Sequence, residues 1–162
     1  MSILLLESLH PEAEVLLASE WPLARASAPE EPGPKVACSS VLAILTRGRG
    51  PVHAALIARC PQLKVIARAG VGVDNVDLAE ARSRMVPVLF APGANAATTA
   101  EHAIALMLAL SRRLPEQARA VAEGRWEERA HYGGDEVNGK TLGIVGYGGI
   151  GNRVARVAAA LG

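Results

Sequence analysis

The stretch from Thr141 to Leu161 constrains this chain more than any other. Thr141-Leu142-Gly143-Ile144-Val145 reads as a buried strand and runs directly into Gly146-Tyr147-Gly148-Gly149-Ile150-Gly151, a match to G-x-G-x-x-G. Beyond it Ile150, Val154, Val157, Ala158 and Leu161 recur at helical spacing, while Asn152, Arg153 and Arg156 fall toward the other side. Strand, glycine turn and amphipathic helix in this order predict the first β-α unit of a Rossmann nucleotide-binding domain. Gly146 would permit the tight turn, Gly148 would let backbone approach a pyrophosphate, and Gly151 would let the helix lie close on the strand. The helix start at Gly149 and Ile150 would then present amides and the positive end of its dipole to phosphate. Glycine-rich turns also arise for structural reasons alone; the flanking strand and helix favour the binding reading.

Upstream, short runs rich in Ile, Leu and Val recur at Ile3–Leu6, Val41–Leu45, Leu63–Ala67 and Val86–Phe90, separated by segments that read as helices. Such alternation predicts an α/β fold with parallel strands and crossover helices. Pro11 to Ala18 and Pro51 to Arg59 each place a proline at a first helical position. Asp77-Leu78-Ala79-Glu80 and Thr98-Thr99-Ala100-Glu101 have the form of capping boxes. The second opens a helix so apolar between His102 and Leu110 that packing on several sides is expected. Pro115 and Gly124 bracket a further helix, and the Ser27 to Pro34 segment reads as an irregular surface connection. A boundary is expected near residue 98, giving domains 1–97 and 98–162.

Half of the residues are hydrophobic and the formal net charge is +1, which permits a sizeable core and leaves no electrostatic footprint for nucleic acid or an anionic membrane. A small-molecule partner is expected. Cys38 and Cys60 lack the spacing of a zinc site or redox pair, so both are expected to be free thiols and no metal site is predicted. The first residues lack a basic leader, and no apolar run approaches the length of a membrane span. A soluble cytoplasmic protein is the expectation.

Taken together, Arg68-Ala69-Gly70-Val71-Gly72-Val73-Asp74-Asn75-Val76-Asp77, Ala91-Pro92-Gly93-Ala94-Asn95, Thr99-Ala100-Glu101-His102, Gly124-Arg125-Trp126 and Asn138-Gly139-Lys140-Thr141-Leu142-Gly143 resemble the D-isomer-specific 2-hydroxyacid dehydrogenase family, and its phosphoglycerate dehydrogenase-like members most. The resemblance implies a flavodoxin-like substrate domain followed by a Rossmann domain, with the active site in the cleft between them. It implies NAD-dependent oxidation or reduction of a small 2-hydroxy or 2-keto acid of the 3-phosphoglycerate, glycerate, hydroxypyruvate or glyoxylate type, and a homodimer. By position, Ala69, Gly70 and Gly72 would lie near the substrate carboxylate, Arg47, Arg68 and Asn95 would also contact substrate, and Val71 and Thr99 would touch the cofactor. The arginine, acid and histidine that perform the family's chemistry match no position in residues 1–162, so this chain alone is expected to be inactive, and a noncatalytic binding or dimerisation module is the alternative. An acidic residue about 20 positions beyond the glycine turn would separate NAD from NADP. The chain reaches only Gly162, so the sequence reads as a fragment, with NAD expected and NADP left open.

Other readings of these residues stand beside the implied roles. Gly70 and Gly72 also fit a strand-ending turn of positive φ. Arg47 and Arg68 fit ordinary solvated side chains, and Asn95 fits a loop residue bonding its own backbone. Glu101 reads as the capping partner of Thr98, His102 as a packed or interface residue, and Trp126 as a core or subunit-contact aromatic. Many relatives carry arginine where this chain has Gly149, which predicts weakened cofactor affinity with the backbone contacts retained.

Overall fold

The computed structural model describes residues 1–33, 36–131 and 133–162. They form two compact units, Met1–Ala94 and Asn95–Gly162.

The first unit is built on five parallel strands, β1 (Ser2–Leu5), β2 (Leu23–Arg25), β3 (Val41–Thr46), β4 (Val65–Arg68) and β5 (Val88–Leu89), in the order β2-β1-β3-β4-β5. This is the flavodoxin-like order of a doubly wound sheet. Parallel pairing places Leu4, Ile44, Ile66 and Val88 in register across four strands. Leu4, Ile44 and Ile66 are fully buried, at 0% exposure. Around them pack Val41, Val52, Leu56, Ile57, Cys60 and other core side chains, so a run of β-branched and leucine residues buried on both faces accounts for the sheet. The helices of the first unit are α1 (Pro11–Glu20), α2 (Ala54–Arg59) and α3 (Leu78–Ser83).

Several local expectations change here. Strand β2 is absent from the sequence reading, because Leu23-Ala24-Arg25 behind Trp21-Pro22 is too short to show a period. Pro51 does not open α2; the helix begins at Ala54, where the His53 Nδ1 accepts from the Leu56 N–H at 3.0 Å. Asp77 caps α3 by accepting from the Glu80 N–H at 2.9 Å. The reciprocal half of that box does not form: the Asp77 N–H donates to the Val52 carbonyl and Glu80 turns to Arg84 at 2.5 Å. The Ser27 connection is irregular as expected through Gly33, and its Pro34 lies outside the described residues. Cys38 and Cys60, though 22 positions apart, are both free and buried in one core. Burial first, and then the neighbouring Cys38, push the Cys60 thiol up to about 12, so it stays protonated and unreactive.

The second unit contains α4 (Ala96–Ser111), α5 (Leu114–Ala122) and α6 (Gly149–Ala160). Helix α4 starts two residues earlier than Thr98, with Asn95 at the cap position and no side-chain cap bond. The Thr98–Glu101 box is therefore not made, since the turn at Gly93, φ +75°, has already delivered the chain into helix. Nor is α4 packed on several sides: Ala96, Ala100 and Ile104 form one buried stripe, while Leu106 and Leu110 stay exposed. His102 and Trp126 are likewise exposed, Trp126 stacking under the Arg129 guanidinium at 5.0 Å. Residues Thr141 to Val145 are not a strand here: among the described residues they pair with no other segment, and a strand exists only through its ladder. The end of α6 is fastened by the Gly139 N–H to the Gly162 carbonyl at 2.8 Å and by Asn138 Nδ2 to the Leu161 carbonyl at 3.4 Å. No described helix is long and apolar enough to cross a membrane, and no described cluster of three or more His, Cys, Asp or Glu side chains is placed to hold a metal.

Candidate functional site

In the sheet of the first unit the lateral order reverses between β1 and β3. In open parallel sheets the crevice beyond the carboxyl ends at such a reversal is where ligands bind. Here that position holds an open cleft of about 650 Å³ lined by Leu9, His10, Leu17, Leu45, Arg47 and Ala69, among others. Arg47 and Ala69, both expected at the substrate, thus meet in one depression. Thr46 and Arg68 are register partners at the ends of β3 and β4, and the Ala69 N–H donates to the Thr46 carbonyl at 2.8 Å.

The loop after β3 is organised by a residue that the sequence reading missed. One carboxylate oxygen of Glu7, at the end of β1, accepts from the backbone N–H groups of Arg47, Gly48, Arg49 and Gly50 at 2.8–3.0 Å. The fully buried Thr46 hydroxyl lies 3.1 Å from the same oxygen and 2.7 Å from the Gly50 carbonyl. Asn75 Nδ2 donates to the Gly50 carbonyl at 2.8 Å and to the Thr46 oxygen at 3.1 Å. Nothing in the sequence ties Glu7 to residues forty positions away. Burial acts to raise the Glu7 carboxyl, but the four amides outweigh it and hold the group at about 2 against an ordinary 4.5.

Because the folded value lies below the unfolded one, Glu7 stabilises the first unit fully above pH 4.5, and that contribution disappears as the pH falls toward 2. Acid titration of the wild-type chain should therefore lose stability through this window. The Glu7→Gln variant should lack that part of the slope, as measured by denaturant midpoints at successive pH values. Equal slopes for the two chains would refute the assignment.

Arg68 and the glycines after it form the other half of the cluster. A Cβ on Gly70 would overlap the Arg68 guanidinium, and one on Gly48 would lie 3.7 Å from it. Arg68 Nε is buried with no described partner, as is Asn75 Oδ1. Gly72 would bring a Cβ to 2.8 Å from the Asp74 carboxylate. Neither Gly70 nor Gly72 adopts positive φ, so the expected left-handed turn is corrected: these glycines clear space for Arg68 and Asp74. Val71 is half-buried on the same loop.

In the second unit the glycine turn has three distinct environments. Gly146 has φ +93°, which side-chain-bearing residues rarely adopt. Gly148 has open space where a Cβ would be and caps α6 with extended backbone. A Cβ on Gly151 would overlap the Gly146 carbonyl oxygen and sit 3.3 Å from Ile144. The first intrahelical bond runs from the Asn152 N–H to the Gly148 carbonyl at 2.9 Å, which leaves the amides of Gly149, Ile150 and Gly151 ahead of it, as at any helix start. No acidic side chain stands in that first turn. Ala96 lies 4.0 Å from where a Cβ on Gly149 would sit, so the first turns of α4 and α6 adjoin. The exposed Asn95 and Thr99 belong to the α4 turn, and the Thr99 N–H donates to the Asn95 carbonyl at 2.9 Å.

Comparison with known proteins agrees with this geometry. The sequence model of the D-isomer specific 2-hydroxyacid dehydrogenase catalytic domain matches residues 3–159. A D-3-phosphoglycerate dehydrogenase of Archaeoglobus fulgidus is 49% identical over 119 residues, which is 74% of this chain and 22% of that protein. The solved 2-hydroxyacid dehydrogenase from Ketogulonicigenium vulgare superimposes with a TM-score of 0.88 at 31% identity, over 99% of this chain and 52% of that one. An NADPH-dependent glyoxylate/hydroxypyruvate reductase from Sinorhizobium meliloti, solved with NADP and malonate, gives 0.85 at 27% identity over 99% of this chain and 50% of that one. The chain thus spans a fifth to a half of the relatives it matches.

Proposed function

The chain belongs to the D-isomer specific 2-hydroxyacid dehydrogenase family, and from that premise we propose that it supplies the substrate-binding unit and the opening nucleotide-binding turn of an NAD-dependent oxidoreductase of small D-2-hydroxy acids. Residues 1–97 would be the substrate domain and residues 98–162 the start of the nucleotide domain. The observation that carries the cofactor assignment is the division of labour among Gly146, Gly148 and Gly151: a left-handed turn, an open backbone face and a tight helix contact. Those features fit a pyrophosphate, which Gly148, Gly149, Ile150 and Gly151 would hold through main-chain N–H groups. When bound, the nicotinamide supplies a hydride donor or acceptor.

The chain's own residues bind and orient. Arg47 and Arg68 present guanidinium groups suited to a carboxylate or phosphate, and Ala69, Gly70 and Gly72 are assigned to the substrate on the family resemblance. Val71 and Thr99 are assigned to the cofactor, and Asn95 to the substrate, on the family resemblance. Residues 1–162 by themselves are not expected to turn over. His53 is committed as a helix cap, His10 makes an exposed 3.9 Å pair with Glu12, and neither His102 nor His131 is buried. Among the described residues none of the four histidines has a carboxylate at hydrogen-bond distance to orient it for general base work. The buried free thiols suit a reducing cytoplasm. The exposed Leu106 and Leu110 on α4 favour a second reading, a binding or dimerisation module, and in either reading that face would serve the homodimer.

Titrating the chain with NADH and with NADPH while following the amide resonances of residues 146–151 tests the proposal, since the pyrophosphate is common to both. Saturable shifts confined to this turn are expected. Gly149→Arg meets only Ala96, at 4.0 Å, with its Cβ and should tighten binding about twofold to fivefold, the worth of one partly exposed charge contact. Absence of any shift would remove the nucleotide assignment, and equal affinity of the two chains would remove the role given to position 149.

A further inference from the structure

We propose that Glu7 is the positioning residue of the candidate substrate loop, an internal anion that pre-forms residues 47–50 and leaves the Arg47 and Arg49 side chains turned outward for an anionic substrate. The proposal rests on the reading of Arg47 given above. Consecutive backbone N–H groups converging on one point form a nest that ordinarily receives an external anion. Here the four amides of residues 47–50 converge on one oxygen of Glu7, whose side chain is only 10% exposed. The nest is filled by the chain itself. An incoming carboxylate or phosphate is thereby denied the main-chain donors and must use guanidinium groups. Arg47 is exposed and lines the cleft beside Ala69. The Arg49 side chain is 84% exposed, with its Nε 3.9 Å from the second Glu7 oxygen. Thr46 and Asn75, both on the Gly50 carbonyl, close the loop from the other side. Fixing the loop before substrate arrives removes the ordering cost from the binding step.

The test uses the full chain as wild type, Glu7→Ala and Glu7→Gln, with D-3-phosphoglycerate as the probe and thermal melting to verify folding. In Glu7→Ala the amides of 47–50 lose a charged acceptor, so their hydrogen exchange should accelerate by about tenfold or more, and affinity for 3-phosphoglycerate should fall by about as much. Glu7→Gln keeps one acceptor oxygen and should lie between; it carries the comparison if Glu7→Ala does not fold. Millimolar formate, placed in the vacated nest, should restore both protection and affinity, which a purely structural loss would not allow. If the variants loosen the loop and still bind as tightly as wild type, or if formate restores neither quantity, the positioning role is overturned. If the wild type shows no response to 3-phosphoglycerate at residues 47 and 68–72, the substrate reading itself fails and takes the proposal with it.

Discussion

Gly151→Ala should lower the stability of the second unit by about 1–3 kcal/mol, the range of an overpacked contact, although alanine is the better helix former by almost 1 kcal/mol. The added methyl would overlap the Gly146 carbonyl oxygen, lie 3.2 Å from its carbon and touch Ile144 at 3.3 Å. Two of those three neighbours are backbone, pinned by the +93° turn at Gly146, so α6 has to move as a body. Gly148→Ala supplies the control: its methyl meets nothing within 4 Å and its φ is −83°, so the entropic gain of alanine and its poorer N-capping should nearly cancel, leaving a net change of about a few tenths of a kcal/mol. Amide exchange through residues 149–160 and the thermal midpoint distinguish the two. Protection in Gly151→Ala equal to that in Gly148→Ala would show that the close helix contact is not needed.

Ile44→Ala should destabilise the first unit by about 2–5 kcal/mol, and Ile44→Val by about 0.5–1.5. Ile44 is on the middle strand, in register with Leu4 on one side and Ile66 on the other, all three at 0% exposure. Truncation there opens a cavity whose walls are held by ladders on both sides, so collapse is restricted and the cost should fall in the upper part of the range. Urea unfolding with an unchanged slope and a lower midpoint would register it. A midpoint shift no larger than that of the valine variant would mean that the sheet relaxes around the hole.

What the sequence made legible follows from how locally each feature is encoded. Buried parallel strands announce themselves as apolar runs, and Val41–Thr46 could be read that way. The three residues of β2 could not, since their strand character comes from pairing with Ile3, Leu4 and Leu5. The glycine turn was legible because each glycine meets a local geometric demand. The same reasoning misjudged Gly70 and Gly72, whose demand comes from the Arg68 and Asp74 side chains folding over them. Glu7 was invisible for a related cause: an acid closing a nest forty residues on leaves no periodic or spacing signal. In α4, apolar composition was read as burial on several sides, yet the described residues cover only the stripe of Ala96, Ala100 and Ile104.

The unpaired run at Thr141–Val145 has a consequence for handling the chain. Its main-chain donors and acceptors enter no sheet among the described residues, and Val145 is fully open to solvent. Such a ribbon is a template for docking another extended segment. Concentrated solutions should therefore associate through this ribbon first, and a lysine placed at Val145 should keep the molecules apart without touching the core of the five-stranded sheet.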